Sequence, residues 1–283
     1  MIYVRITEGL GNQFYKYAFA YSLAKRYGRE LIIDTAGYKF DPREFQLDRF
    51  CVTANVVRLA APFRNDKFSK AAARAFRRLQ IGTCYQYIEE DSSTYYRFIP
   101  IEKIPSCPVY IQGYWQNYRY FLECEDDIRK QFQLKEVPDY LAEICKRVSQ
   151  EESIALHVRM GDYRPQDQIQ IDYYFSALQY LTKRVNAKIY IFCEKNDLSG
   201  IREKFNTWSP IYVAEQYPLL NDIETFWLMK CCSHQIISNS TYSWWAAWLN
   251  NHEGKMVAAP LIDRLDREYY PKDWVVFPTN HIR

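Results

Sequence analysis

The sequence holds no uninterrupted apolar stretch approaching the roughly 20 residues that span a bilayer. Nothing at its start reads as a signal peptide, since Ile2-Tyr3-Val4-Arg5-Ile6 runs straight into a strand. No Cys-x-x-Cys occurs, and the eight cysteines lack metal-ligand spacing, with Cys231 and Cys232 adjacent. These features predict a reducing cytoplasm, free and mostly buried thiols, and no bound metal. In that setting Asn239-Ser240-Thr241, formally a glycosylation sequon, carries no meaning as such. Long runs of one charge are also missing. Net charge is +3, and the densest basic patch, Arg74-Ala75-Phe76-Arg77-Arg78, fits a solvated helix face better than an anionic membrane contact. No nucleic-acid partner is expected. There is no internal repeat and no low-complexity tract.

What is present is ordinary in bulk and unusual in one respect. A chain of 283 residues can hold two α/β domains as readily as one large one. Apolar residues at 48% and charged residues at 25% place it among globular proteins. The aromatic share of 17% is high. Tyr and Trp suit surfaces that stack on sugars or bases, and they suit plain core packing as well.

In the first half, a strand at Ile2 to Ile6 is followed by a tight loop, Thr7-Glu8-Gly9-Leu10-Gly11. Asn12 is placed to cap the next helix. Phe14, Tyr17, Ala18, Tyr21 and Ala24 give that helix an apolar face, and Gly28 stops it. Leu31-Ile32-Ile33 is a second strand, closed by Asp34. This βαβ start invites a dinucleotide-binding reading, with Gly9-x-Gly11 and a terminal acid. That fingerprint wants a third small residue at position 14, where this chain has Phe14. A nicotinamide or flavin oxidoreductase is therefore only a distant alternative. Lys39 to Pro105 reads as loops and short helices, with a basic helix over Lys67 to Gln80. Val109 to Gln112 is a strand that leads into Gly113-Tyr114-Trp115-Gln116-Asn117-Tyr118. That cluster could be a sugar platform or packed core. Helices are predicted over Glu123 to Phe132 and over Tyr140 to Gln150, the latter amphipathic through Leu141, Ile144, Cys145 and Val148.

The polar stretch Ser149 to Glu152 is the expected domain cut, giving 1–150 and 151–283. Beyond it the pattern alternates regularly: strands at Ser153–His157, Lys188–Cys193, Ile211–Val213, Gln235–Ser238 and, last, Met256–Ala259. Helices lie between them over Asp172–Arg184, Ser199–Phe205, Ile223–Cys232 and Tyr242–Asn250. Such alternation predicts a parallel sheet.

Two constellations in this half carry chemistry. The first is Ser153-Ile154-Ala155-Leu156-His157-Val158-Arg159-Met160-Gly161-Asp162-Tyr163, a buried strand that delivers a histidine, an arginine and an aspartate into a loop. Open α/β sheets place ligands at such strand ends. The planar guanidinium of Arg159 suits phosphate oxygens, although an Arg–Asp pair that staples the loop would read the same way. The second is Ile236-Ile237-Ser238-Asn239-Ser240-Thr241-Tyr242-Ser243-Trp244-Trp245, in which a strand ends, small polar residues follow and a helix begins. Helix-start amides and hydroxyls favour an anion, although a plain N-cap, which needs only one such residue, is the other reading. Trp244, Trp245 and Trp248 read as anchors of that helix in the core.

Three segments together resemble the α-1,2-fucosyltransferases of glycosyltransferase family 11. They are Gly9-Leu10-Gly11-Asn12-Gln13 with Tyr17-Ala18-Phe19-Ala20, the His157 to Tyr163 segment, and Ser238 to Leu249. Gly113-Tyr114-Trp115-Gln116 and Tyr270-Pro271-Lys272-Asp273-Trp274 are also similar. The resemblance implies a GT-B-like α/β fold with two Rossmann-like domains facing across a cleft. The C-terminal domain would bind GDP-fucose and the N-terminal domain the acceptor. It implies an inverting, metal-independent and cofactor-free transfer of L-fucose from GDP-β-L-fucose to the 2-hydroxyl of a galactoside.

On that resemblance Arg159 holds the diphosphate, with His157, Asn239, Ser240 and Thr241 around the donor and Gly11, Asn12 and Gln13 closing over it. Asp162 orients Arg159. Tyr114, Trp115, Gln116 and Asp167 are acceptor candidates. The proton of the acceptor hydroxyl goes to a base, for which Asp162, Asp167, Asp172 and Glu8 are candidates among which the sequence does not choose, or late to the leaving phosphate itself. Two positions depart from the family. Met160 stands where a second arginine often occurs, and Cys193-Glu194-Lys195 where Ser-Asp-Asp is usual. A related transferase with another linkage, such as α-1,6, or a non-catalytic binding module are the other readings. The acceptor is expected to be a β-galactoside-containing surface glycan precursor, met at the inner membrane face.

Overall fold

A computed structural model describes residues 1–59, 85–159 and 169–279. The predicted helix over Lys67 to Gln80 and the basic patch at Arg74 to Arg78 lie outside the described residues, as do Asp162 and Asp167. The chain divides into two units, Met1–Lys135 and Glu136–Arg283. Each has its own all-parallel sheet.

In the first unit the strands are β1 (Ile2–Arg5), β2 (Leu31–Asp34), β3 (Asn55–Val57), β4 (Gln86–Glu89) and β5 (Val109–Gln112), ordered β3-β2-β1-β5-β4. β1 lies at the centre, where Ile2 and Val4 are buried. β3 and β4 fall in the stretch that reads as loops and short helices. They are edge strands whose residues are mostly half-exposed, so they lack the apolar run that marks an interior strand.

Helix α1 (Leu10–Arg26) follows β1 and is buried nearly all round. Phe14, the residue that spoils the dinucleotide fingerprint, is fully buried. Its ring centroid lies 4.9 Å from that of Phe50 and 4.1 Å from that of Phe132. A side chain of this size stabilises by about 1.5–3 kcal/mol when withdrawn from water. Gly9, not Asn12, is the helix N-cap, in an extended conformation and with no side-chain cap. Asn12 instead sits inside the first turn. Lys25 and Arg26 occupy the last turn, and Gly28 takes φ +60° beyond it, the left-handed stop that glycine makes without strain. The short helix α2 (Glu125–Gln131) closes the unit.

The second unit begins with α3 (Asp139–Gln150), buried through Leu141, Cys145 and Val148. Its apolar stripe packs on helix α7 (Asp222–Cys231). The division between units therefore falls one helix before the expected cut at Ser149 to Glu152. The sheet runs β11-β10-β9-β6-β7-β8, formed by β6 (Ser153–His157), β7 (Lys188–Phe192), β8 (Ile211–Tyr212), β9 (His234–Ile236), β10 (Val257–Leu261) and β11 (Val275–Pro278). Between them lie α4 (Ile171–Thr182), α5 (Leu198–Phe205), α6 (Val213–Gln216), α7 and α8 (Thr241–Leu249). The strand predicted to be last is followed by another. β11 is an edge strand with only half-buried or exposed residues, which hides it from a search for apolar runs. Of the seven described cysteines, all free, Cys51 and Cys107 are exposed rather than buried.

The register of the second sheet places the site. β6 pairs with β9 in parallel, Leu156 opposite Ile236. Both strands therefore end at the same edge, and the loops leaving them start side by side. That brings Arg159 and Ser240 together, 81 residues apart in sequence.

Candidate functional site

In the second unit, Arg159 leaves the end of β6 and its Nη1 donates to Ser240 Oγ at 3.0 Å. Ser240 is the N-cap of α8, and its Oγ also accepts from the Tyr242 amide at 3.3 Å. Two acceptances use both lone pairs of a hydroxyl. The Ser240 O–H proton is then left to give, next to a guanidinium and at the positive end of a helix. His157 Nδ1 and Ser238 Oγ share a hydrogen bond of 3.0 Å, and the imidazole lies beside the Tyr242 ring. Asn239 and Thr241 flank Ser240 and are half-buried. His157, Arg159, Asn239, Ser240 and Thr241 thus form one corner with a positive field and several donors. Such a corner can hold a phosphate group.

The corner is stiff because of what lies behind it. Trp244 and Trp245 are buried and Trp248 nearly so, their rings packed on one another and on Trp274. They anchor α8 in the core, as their spacing predicts. Cys193, where the donor-side resemblance is broken, has its thiol pushed up to about 12, first by burial and then by Asp197 and Glu194. It stays a neutral thiol near pH 7 and offers no charge to a ligand.

In the first unit the remaining predicted residues surround Glu8. Its backbone has φ +72°, uncommon for a residue with a side chain. Glu8 Oε1 accepts from the Tyr114 hydroxyl at 2.8 Å. Oε2 accepts from Asn12 Nδ2 at 2.8 Å and from Lys16 Nζ at 3.3 Å. The Glu8 amide donates to Asp41 at 2.7 Å, and its carbonyl accepts from Tyr38 and Gln13. Lys16 is 5% exposed. Burial holds its ammonium below the usual lysine value, and the Glu8 carboxylate partly restores it. Asn12 Oδ1 in turn accepts from Gln116 Nε2 at 2.8 Å.

Gln13 is fully buried. Its amide is spent on the Glu8 and Glu44 carbonyls and the Gln46 amide, so it holds the loop together rather than presenting donors outward. Gly11 is buried in the same turn. Trp115 is 4% exposed and stacks on Phe19 at 4.0 Å. Of the two readings of the aromatic cluster, its ring takes the packed-core one, while Tyr114 and Gln116 reach the polar corner.

Glu90, which no sequence motif marks, belongs to the same corner. Its Oε2 accepts from the backbone amides of both Tyr114 and Trp115, at 2.7 and 3.0 Å. Burial pushes its carboxyl above the ordinary range against the pull of those two amides. Gly113 makes this approach feasible. A Cβ there would lie 2.5 Å from the Glu90 Cβ and 2.7 Å from Trp115 Nε1. The only sequence signal was an acid in Ile88-Glu89-Glu90-Asp91, too common to single out.

The acid that the dinucleotide reading wanted is also occupied. Asp34 is 3% exposed. Its carboxylate accepts from the Tyr110 hydroxyl at 2.5 Å and from the amides of Ala36 and Leu59 at 2.9 and 3.1 Å. A carboxylate so engaged staples loops and has little left for a ribose. Among the described residues no group of three His, Cys, Asp or Glu could hold a metal ion. No helix among them is long and apolar enough to cross a membrane.

Comparison with known proteins supplies a family. A model described as glycosyl transferase family 11 matches residues 1–277. An α-1,2-colitosyltransferase of Escherichia coli is 28% identical over 281 residues, covering 92% of this chain and 91% of that protein. The O-antigen biosynthesis glycosyltransferase WbnK of Escherichia coli is 24% identical, with 92% and 93% covered. Among solved structures, the NodZ α-1,6-fucosyltransferase of Bradyrhizobium, co-crystallised with GDP, superposes with a TM-score of 0.50 at 16% identity, covering 87% of this chain and 91% of that one. The likeness is one of fold, and the fold is GT-B-like.

Proposed function

The chain belongs to glycosyl transferase family 11, and we propose that it moves L-fucose from GDP-β-L-fucose to the 2-hydroxyl of a terminal galactoside, with inversion and without a metal. The second unit binds the donor and the first the acceptor. The observation that carries this is the 3.0 Å bond from Arg159 to Ser240 at the start of α8. As the fucosyl bond breaks, charge develops on the β-phosphate of GDP. The guanidinium, the Ser240 hydroxyl and the α8 amides are fixed donors aimed at such charge, which is the form of stabilisation that works best when preorganised. His157, Asn239 and Thr241 complete the donor side. In the first unit the acceptor meets Tyr114 and Gln116. Asp162, as the orienting partner of Arg159, and Asp167, as an acceptor contact, belong to the second unit, lie outside the described residues and rest on the resemblance alone.

Two supports come from relatives. The Escherichia coli proteins are named for an α-1,2 transfer and for O-antigen synthesis, which fits a surface-polysaccharide acceptor assembled at the inner membrane face. A second reading keeps the chemistry and changes the sugar, because one of those relatives is named a colitosyltransferase.

A thermal-shift panel of GDP, UDP and NAD tests the nucleotide class, with GDP alone expected to raise the melting temperature. Product analysis with GDP-fucose and a set of β-galactosides, with and without EDTA, tests sugar, linkage and metal. An unchanged yield in EDTA and a 2-linked product are expected. A shift with NAD and none with GDP would overturn the reading.

A further inference from the structure

We propose that the Glu8 corner of the first unit is a binding site for the hydroxyls of a neutral sugar, and that Glu8 is the residue that selects the acceptor. This rests on the transferase reading above and says which residue on the acceptor side does the recognising.

Glu8 stands at the end of β1, where the backbone turns into α1, with φ +72°. Glycine would take that conformation without strain, and a glutamate does not. Strain of this kind persists where the surrounding structure fixes it, and here the surroundings fix the carboxylate itself. Asn12 and Lys16 hold Oε2, while Tyr114 holds Oε1. The side chain nevertheless keeps 34% of its surface exposed. An ionised carboxylate has about four lone-pair sites, and three donors reach this one. The remaining lone pair belongs to Oε1, which takes a single bond. It is an acceptor held in place on a side chain that is about one-third exposed.

The corner is built to keep that acceptor still. Glu90 clamps the Tyr114 and Trp115 amides, and Gln116 ties Asn12 to the same turn. The chemistry of the ligand follows from the open atom, because a carboxylate oxygen accepts and a sugar hydroxyl has a proton to give. The Glu8 and Asp41 carboxylates are balanced by Lys16 and by the Arg43 guanidinium beside Gly9. Lys16 balances Glu8 from beneath and is too buried to reach an anion outside. The Tyr114 ring is half-exposed beside the carboxylate, with Lys16 Nζ 5.0 Å from its centroid and the Tyr95 ring packed against it edge-on. A carboxylate next to the half-exposed rim of an aromatic ring suits a pyranose, which has both hydroxyls and an apolar side.

The test uses the full chain and neutral β-galactosides: lactose, N-acetyllactosamine and methyl β-galactoside. In Glu8→Gln the acceptor KM should rise at least tenfold with a smaller change in kcat, while the melting shift caused by GDP stays as in the wild type. Glu8→Asp, which keeps a charge for Lys16 but shortens the reach, should also raise the acceptor KM if Glu8→Gln fails to fold. An unchanged acceptor KM in a folded variant overturns the proposal. So does a wild type that responds to GDP but is not accelerated by any of the three sugars. A wild type with no GDP response would instead remove the transferase reading on which the proposal stands.

Discussion

Ser240→Ala separates two jobs that meet on one oxygen. The hydroxyl caps α8 through the Tyr242 amide and steers Arg159. Loss of an N-cap costs about 0.5–2 kcal/mol. The capping bond is long at 3.3 Å, so the lower half of that range applies. For a domain of this size about 1 kcal/mol lowers the melting temperature by roughly 2–4 °C. The catalytic effect is separate. A hydrogen bond to a charged group contributes about 1.5–3 kcal/mol. Arg159 is half-buried rather than buried, and solvent screening reduces that to about 1 kcal/mol, so the loss of steering alone costs about fivefold in rate, on top of the loss of the hydroxyl as a direct donor to the phosphate charge.

A double-mutant cycle isolates this part. In an Arg159→Ala background the cap is still lost on changing Ser240, but the guanidinium is no longer there to be steered. GDP release from GDP-fucose in the four proteins should therefore give a coupling energy of about 1 kcal/mol, while the loss of melting temperature stays the same in both backgrounds. Rate effects that add within about 0.3 kcal/mol would refute the claim that Ser240 positions Arg159.

Three further outcomes are expected. The raised Glu90 carboxyl means that the folded protein keeps that proton longer than the unfolded chain does. Its contribution is then fully present below the ordinary value of 4.5 and is lost as pH climbs through the raised folded value. Urea titrations across that window should show the slope, and Glu90→Gln should flatten it. Because both amides converge on a single oxygen of Glu90, the glutamine carbonyl can still receive them, and the variant should fold. Gly113→Ala should lower stability by about 1–3 kcal/mol in denaturant melts, since its Cβ would sit inside contact distance of Glu90 and Trp115; a neutral result would show that the turn can relax.

The interior of the fold was legible because its strands are short apolar runs. β1, β2, β5 and β6 lie close to where their residues put them. β3, β4 and β11 were not legible, since edge strands face solvent and carry no such signature. The site divided in the same way. Arg159 and the Ser238 to Thr241 loop were visible as a strand-end cation and a helix-start cluster. Their meeting depends on the β6–β9 register, which no local pattern encodes, and it was anticipated only through the ordered set of motifs. Asn12 looked like a helix cap because of its type, yet Gly9 holds that position. Asn12 is instead taken up by Glu8 and Gln116, a tertiary arrangement that overrides the local preference. Trp115 has the composition of a sugar platform and the location of a core residue. Glu8 could be suspected as an acid beside a glycine turn, but its positive φ and three donors exist only in the folded chain.

The most direct test of the account is the rate of GDP release from GDP-fucose by Arg159→Ala, measured with a β-galactoside and excess EDTA against the wild type. Removal of one preorganised donor to developing charge should cost on the order of 10²–10³ in rate, with the melting temperature close to that of the wild type and wild-type turnover unaffected by the chelator. A folded Arg159→Ala protein that turns over at the wild-type rate would contradict it.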